Sequence, residues 1–113
     1  MSEKLNRRAN IGATTIPVST ATSEVITTDG YAFGGYILPA TFDGTAMTFL
    51  VCTEYGGTYV ALEDSDGNAI THVVEASKAY VFPPELFAFP YAKLVAGSNQ
   101  TTTDTVITYS VKG

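Results

Sequence analysis

The chain has 113 residues, of which 45% are hydrophobic, and eleven Asp and Glu residues against six Lys and Arg give it a formal net charge of −5. This length is typical of one domain with one core. The acidic balance argues against binding to nucleic acid or to an anionic membrane, and no apolar run reaches the roughly 20 residues that a membrane span needs.

Cysteine usage and the N-terminus indicate the compartment. Cys52 is the single cysteine, so no disulfide can form within the chain. The first residues lack the apolar run and small-residue cleavage site of a secretory signal. We therefore expect synthesis and folding in a reducing cytoplasm.

The first eight residues hold half of the basic side chains, namely Lys4, Arg7 and Arg8. A basic, polar segment thus precedes an acidic body. We predict an N-terminal arm and lead-in strand over residues 1–25, a single β domain over 26–113, and a role in attachment for the three basic residues.

Short runs rich in Thr, Val, Ile, Tyr and Phe, separated by Gly, Asp, Asn and Pro, predict β-strands along the chain. Residues 14–28 predict one or two strands around Pro17, and residues 36–38 another. Residues 47–54 give the strongest pattern, because apolar side chains occupy both alternating faces. This strand is expected to be central in its sheet.

Turn residues predict the later strands. Gly56-Gly57 and Asp66-Gly67 are expected to close two hairpins, so that three consecutive strands form a meander. Further strands are predicted at residues 79–82, 91–96 and 102–111. Pro84 favours one short helical turn near residues 84–88.

Eight or nine short strands predict an all-β fold, a two-sheet antiparallel sandwich with jelly-roll-like topology. An immunoglobulin-like sandwich is the second topology considered, and a barrel remains open. No repeat or linker indicates a second domain.

An acidic segment resembles the ligand spacing of a calcium-binding loop. Asp64, Asp66, Asn68 and Glu75 supply oxygen atoms. However, Ala69 occupies the position that requires glycine, and the flanking segments predict strands where the motif needs helices. We interpret the segment as a hairpin turn and predict no metal or cofactor.

Neither His72 nor Cys52 has the partners that catalysis requires. His72 is the only histidine, whereas jelly-roll metalloenzymes of the cupin type use two or three. Cys52 lies in a strongly patterned strand, where a thiol packs as a small apolar group. The carboxylates at Glu54, Glu63 and Asp64 lack an evident catalytic partner. We predict that the protein is not an enzyme.

Residues 82–91 form an aromatic, proline-rich segment with two interpretations. Its rings can form an exposed platform for a sugar or a protein. Alternatively, Leu86, Phe87 and Phe89 close one end of the core. Five tyrosines are candidates for stacking on a sugar, although the chain lacks Trp: Tyr31, Tyr36, Tyr55, Tyr59 and Tyr91.

The order of four segments, residues 42–49, 58–64, 79–87 and 92–98, resembles small β-sandwich cement or decoration proteins of tailed bacteriophages. The resemblance extends over about residues 30–113 and transfers no catalytic residue. It implies a virion structural protein, a dimer or trimer on the capsid surface whose partner is the major capsid protein. The N-terminal arm is then expected to lie across a neighbouring subunit.

Two other functions remain open: a tail, neck or head-fibre component, and a carbohydrate-binding module. The predicted contact residues are Lys4, Arg7 and Arg8 in the arm, and Phe87, Phe89 and Tyr91 in the aromatic segment. We also expect the Thr-rich residues 101–108 to provide an exposed edge for pairing with a neighbour.

Overall fold

The computed structural model describes residues 9–113, so Lys4, Arg7 and Arg8 lie outside the described residues. Within this part of the chain, the structure has nine β-strands and one short 3-10 helix at Pro84–Ala88. The strands are β1 (Ala9–Ile16), β2 (Ile26–Thr27), β3 (Phe33–Ile37), β4 (Ala46–Cys52), β5 (Val60–Ala61), β6 (His72–Val73), β7 (Ala79–Val81), β8 (Tyr91–Ala96) and β9 (Thr105–Lys112).

The strands form two antiparallel sheets, which confirms the predicted sandwich. One sheet has the order β1-β9-β3-β7, and the other has the order β2-β8-β4-β5, with β6 paired to β4. The chain winds as one long antiparallel hairpin that is rolled around the core. Its paired strands are β1–β9, β2–β8, β3–β7 and β4–β5. This winding is the jelly-roll topology that the sequence predicts.

Strand β4 is central in its sheet, as its sequence pattern predicts. It pairs with β8 along one side and with β5 and β6 along the other. Met47, Phe49 and Val51 point into the core and are buried. Because β4 alternates between half-buried and buried residues from Ala46 to Val51, its register on β8 fixes which face of both strands is inside.

Strand β1 pairs with β9 along its whole length, from Ala9 opposite Lys112 to Ile16 opposite Thr105. Pro17 follows its last residue, and proline cannot donate to a sheet ladder. Thr14 and Ile16 are fully buried. The strand, which falls within the segment predicted as arm and lead-in, is thus an edge strand of the sandwich.

The structure contradicts one prediction about connectivity and narrows another. Strand β6 pairs with the first residues of β4, where His72 lies opposite Met47, so the expected three-stranded meander does not extend beyond β5. Strand β9 lies between β1 and β3 and has partners on both sides. Within the Thr-rich segment, residues 105–107 pair with β1 alone, and Thr108 is the first residue that also pairs with β3. The predicted open edge is therefore lost only from Thr108 onward. Sequence patterns predict strands, whereas pairing partners depend on how the chain winds.

Close packing inside the first sheet depends on Gly34. A Cβ atom at this position would meet the backbone carbonyl oxygen of Ser110 and approach Val111 Cα to 3.0 Å. Strands β3 and β9 pair here, with Gly34 opposite Val111. Glycine is required because any side chain would push the two strands apart.

The 3-10 helix closes one end of the core. Pro84 is its first residue, and the preceding Pro83 is extended. Leu86 is fully buried, and Phe87 and Phe89 pack against the core. Of the two interpretations of this segment, the closure of the core is the one that these contacts support. Among residues 9–113, no helix has the length and apolar character needed to cross a membrane.

The acidic segment at residues 63–69 is a hairpin turn, as predicted. Asp64 Oδ1 accepts hydrogen bonds from the backbone N–H groups of Asp66 at 2.9 Å and Asn68 at 3.0 Å. Gly67 has φ of +81°, which glycine adopts without strain. Glu63 and Ala69 pair across the turn. The side chain that resembled a calcium ligand thus caps its own turn.

Candidate interaction face

The outer face of the β1-β9-β3-β7 sheet is apolar. Strand pairing places four outward-facing residues in one row across it: Ile11, Ser110, Gly35 and Val81. Ile11 and Val81 on the two edge strands are strongly exposed. Ser110 and Gly35 lie between them and have a short side chain or none. The surface of the row is therefore depressed at its centre and projects at both ends.

The next row reverses this pattern. It contains Ala13, Thr108, Ile37 and Ala79, with the large Ile37 on the inner strand β3. The two rows together form a groove of about 500 Å³ with an almost entirely apolar lining. Gly35 is one of the lining residues and contributes no side chain to the groove.

Five large apolar side chains are exposed on this face, with exposed fractions between 46 and 82%. They are Ile11, Phe33, Ile37, Val81 and Val106. Together they present on the order of 500 Å² of apolar surface, at the upper end of the range that monomeric proteins expose in one patch. A patch of this size on a folded protein is typical of a binding surface.

The face also lacks negative charge. The four strands of this sheet contain none of the eleven acidic residues of the chain, and Lys112 is their only charged residue. The chain has a net charge of −5, so its carboxylates are concentrated elsewhere. The four strands of this face therefore contribute one positive and no negative charge, whereas the rest of the chain is acidic.

Phe87, Phe89 and Tyr91, the predicted contact residues within the described part of the chain, lie away from this groove. Phe87 and Phe89 are half-buried against the core. Tyr91 begins β8 in the other sheet and is also half-buried. Their contact role, like that of the three basic arm residues, stays a prediction.

A second aromatic cluster lies on the outer face of the β2-β8-β4-β5 sheet. Tyr55 is 83% exposed and meets Tyr91 edge to face at 5.7 Å between ring centroids. Lys93 Nζ lies 4.5 Å from the ring centroid of Tyr59, and the Tyr59 hydroxyl is buried without a hydrogen-bond partner among the described residues. Desolvation raises the pKa of that hydroxyl.

The structure brings together three of the five tyrosines considered for sugar binding. Tyr55, Tyr59 and Tyr91 share one face, whereas Tyr36 is 1% exposed and belongs to the core. Tyr31 packs against the core. Tyr36 is therefore wrongly predicted as a platform residue.

His72 and Cys52 lie at opposite ends of β4. His72 is opposite Met47, and its Nδ1 lies 2.8 Å from the hydroxyl of Tyr36. The Cys52 thiol is buried and donates a hydrogen bond to the carbonyl oxygen of Glu54 at 3.0 Å. At about 3.3 Å per strand residue, some 16 Å separate the two positions. They do not form a nucleophile and base, and no group of three potential metal ligands occurs among residues 9–113.

The residues that build the groove were not predicted as site residues. Ile11, Ile37 and Val81 each lie in a strand that has apolar residues on both faces. A strand that is buried on both faces has the same sequence pattern, so the pattern does not indicate an exposed face. The absence of carboxylates from these four strands depends on the strand bounds of the structure, because the predicted segments 14–28 and 102–111 include Glu24 and Asp104. That absence becomes meaningful once those four strands are known to share a sheet.

The structure is an all-β jelly-roll sandwich in which one sheet has an apolar outer face and no carboxylate in its four strands. Comparison of the chain with models of protein families, with curated protein sequences and with solved structures found no match in any of the three.

Proposed function

We propose that this chain is a non-enzymatic structural protein that acts through protein–protein contacts. The observation that carries the proposal is the apolar face of the β1-β9-β3-β7 sheet, which has no carboxylate in an acidic protein. Apolar surface of this extent gains free energy when another surface covers it. Such a face is expected of a protein that assembles with other protein subunits.

The specific role that we propose is that of a cement or decoration protein on the capsid of a tailed bacteriophage, in contact with the major capsid protein. The sequence resemblance of residues 30–113 supports this role, and the jelly-roll fold is compatible with it. Many bound copies of a small protein stabilise a capsid, because each copy binds the assembled capsid and not its separated subunits. No catalytic group is needed for this function.

The test uses phage heads assembled without this protein. Purified protein is added, and bound copies and the temperature at which the heads disrupt are measured. Saturable binding with a raised disruption temperature is the expected result for a cement protein. Binding without a change in that temperature would indicate decoration, and absence of binding would contradict the capsid role and direct the search to tail, neck and fibre components.

A second candidate function is carbohydrate binding at the cluster formed by Tyr55, Tyr59 and Tyr91. The exposed Tyr55 ring and the Lys93 ammonium group favour it, because sugars stack on aromatic rings and accept hydrogen bonds from cations. Glycan-array binding that is lost on Tyr55→Ala would support this function. Array binding unaffected by that change would argue against this site.

A further inference from the structure

The groove on the β1-β9-β3-β7 sheet is a surface without a partner in the described chain. We propose that the same face of a second copy covers it, giving a two-fold symmetric dimer in which the two sheets pack face to face. The inference rests on the proposed function, because it assigns a partner to the surface that carries that function. Three properties of the face favour a second copy.

Charge is the first property. Two copies with a net charge of −5 repel each other, so they approach at lowest cost through a surface without carboxylates. The four described strands of this face form such a surface, and Lys112 at the end of β9 is the only charged residue in those strands. Its other polar groups include the hydroxyls of Thr108 and Ser110, which lose much less hydration energy than an ion does when they are buried.

Shape is the second property. In a two-fold interface one patch contacts its own copy, so the patch has to carry both a projection and a matching depression. Ile11 and Val81 project at the edges of one row, and Gly35 leaves the depression between them. The isoleucine or valine of one copy is of suitable size to enter the groove of the other.

Area is the third property. The five exposed apolar side chains present on the order of 500 Å² on each copy, so a face-to-face contact removes about 1,000 Å² from water in total. This is near the lower limit for a specific interface. We therefore expect a dimer with a dissociation constant of roughly micromolar order and not an obligate assembly.

Sedimentation velocity over a range of protein concentrations tests the inference. The wild type is expected to pass from monomer to dimer as concentration rises. Val81→Glu places two carboxylates in the contact, one from each copy, and should weaken dimerisation by at least about 100-fold. Val60→Glu is the matched control, because Val60 is also an exposed strand valine but lies in the other sheet.

A wild type that stays monomeric at the highest concentration would overturn the inference, as would equal weakening by both variants. Far-ultraviolet circular dichroism of each variant checks that the sandwich is intact. If Val81→Glu fails to fold, Ile11→Glu makes the same test from the other edge strand, where the side chain is 82% exposed.

The experiments can contradict the dimer and the capsid role independently of each other. A dimer that does not bind phage heads would support the inference and contradict the capsid role. A monomer that binds and stabilises heads would do the reverse, and would assign the apolar face to a contact with the capsid.

Discussion

Tyr36 and His72 connect the two sheets across one side of the core. Tyr36 lies on β3 and His72 on β6, and the hydroxyl oxygen and ring Nδ1 are 2.8 Å apart. Burial raises the pKa of the Tyr36 hydroxyl above its usual value, and desolvation lowers the pKa of His72. Both side chains are therefore neutral in the folded protein at neutral pH.

The lowered pKa of His72 predicts how stability depends on pH. In the unfolded chain this histidine titrates near 6.5, but in the fold it does so at lower pH. Between the two values the unfolded state binds more protons, so the free energy of unfolding decreases as pH falls below about 6.5. Above that pH the contribution of His72 is fully present.

Urea unfolding at several pH values from about 7.5 to about 5 measures this dependence. His72 is the only histidine, so His72→Asn should remove the part of the decrease that begins near pH 6.5. Its amide oxygen can still accept a hydrogen bond from Tyr36. An unchanged pH profile in this variant would contradict the prediction.

Gln100 is a fully buried polar residue that joins two loops. Its Oε1 accepts hydrogen bonds from the Thr105 hydroxyl at 2.7 Å and the Asp43 backbone N–H at 2.9 Å. Its Nε2 donates to the Asp43 carbonyl oxygen at 3.0 Å. All of these groups become unsatisfied if the amide is replaced by a hydrocarbon.

Gln100→Leu is therefore expected to lower the free energy of unfolding by at least about 2 kcal/mol, because buried polar groups lose their partners. The exposed neighbour Asn99 provides the control, and Asn99→Leu should change stability by less than about 0.5 kcal/mol. Both values come from urea unfolding. Similar losses for the two variants would show that the network is not stabilising.

Among the strands, β1 is an integral part of the sandwich, because it carries buried core residues. Ile16 and Ile11 lie in the same strand but on opposite faces, and Ile16 is fully buried while Ile11 is 82% exposed. Ile16→Ala should cost about 3 kcal/mol of folding free energy through lost burial and a cavity. Ile11→Ala should cost less than about 0.5 kcal/mol in the monomer.

Denaturant unfolding of both alanine variants at low protein concentration measures this difference. If the two variants had equal stability, β1 would be a detachable arm and not part of the sandwich.

The sequence predicts most strands because local patterns determine them. The alternation in β4, the turn at Asp66-Gly67 and the helical turn after Pro83 are all present in the structure. Pairing was harder to predict, since β6 returns to β4 and β9 lies between two strands. Which strands are neighbours depends on contacts distant in sequence, and single-strand patterns do not contain that information.

The interaction face shows the same limit. Exposed apolar residues such as Ile11 and Val81 cannot be distinguished from core residues by composition, because the equally apolar Ile16 on β1 and Phe82 directly after β7 are fully buried. By contrast, Phe87 and Phe89 are conspicuous in the sequence but pack against the core. Exposure is a property of the assembled sheet, so it becomes visible only when the strand order is known.

At the scale of the whole molecule, charge and apolar surface are separated. One sheet presents a neutral apolar groove, and the acidic residues lie in turns and in the other parts of the chain. A dimer formed through the groove would present two copies of every other surface. Bivalent binding to a shell increases apparent affinity by a factor of about 100 or more when both sites are engaged.

A comparison of how the wild type, Val81→Glu and Val60→Glu occupy phage heads tests the capsid role and the dimer together. We predict that the wild type and Val60→Glu saturate the heads and raise their disruption temperature equally. Val81→Glu is expected to bind at least about tenfold more weakly, because it loses the apolar contact and the bivalence. Equal occupancy by all three proteins, or no binding by the wild type, would contradict the account.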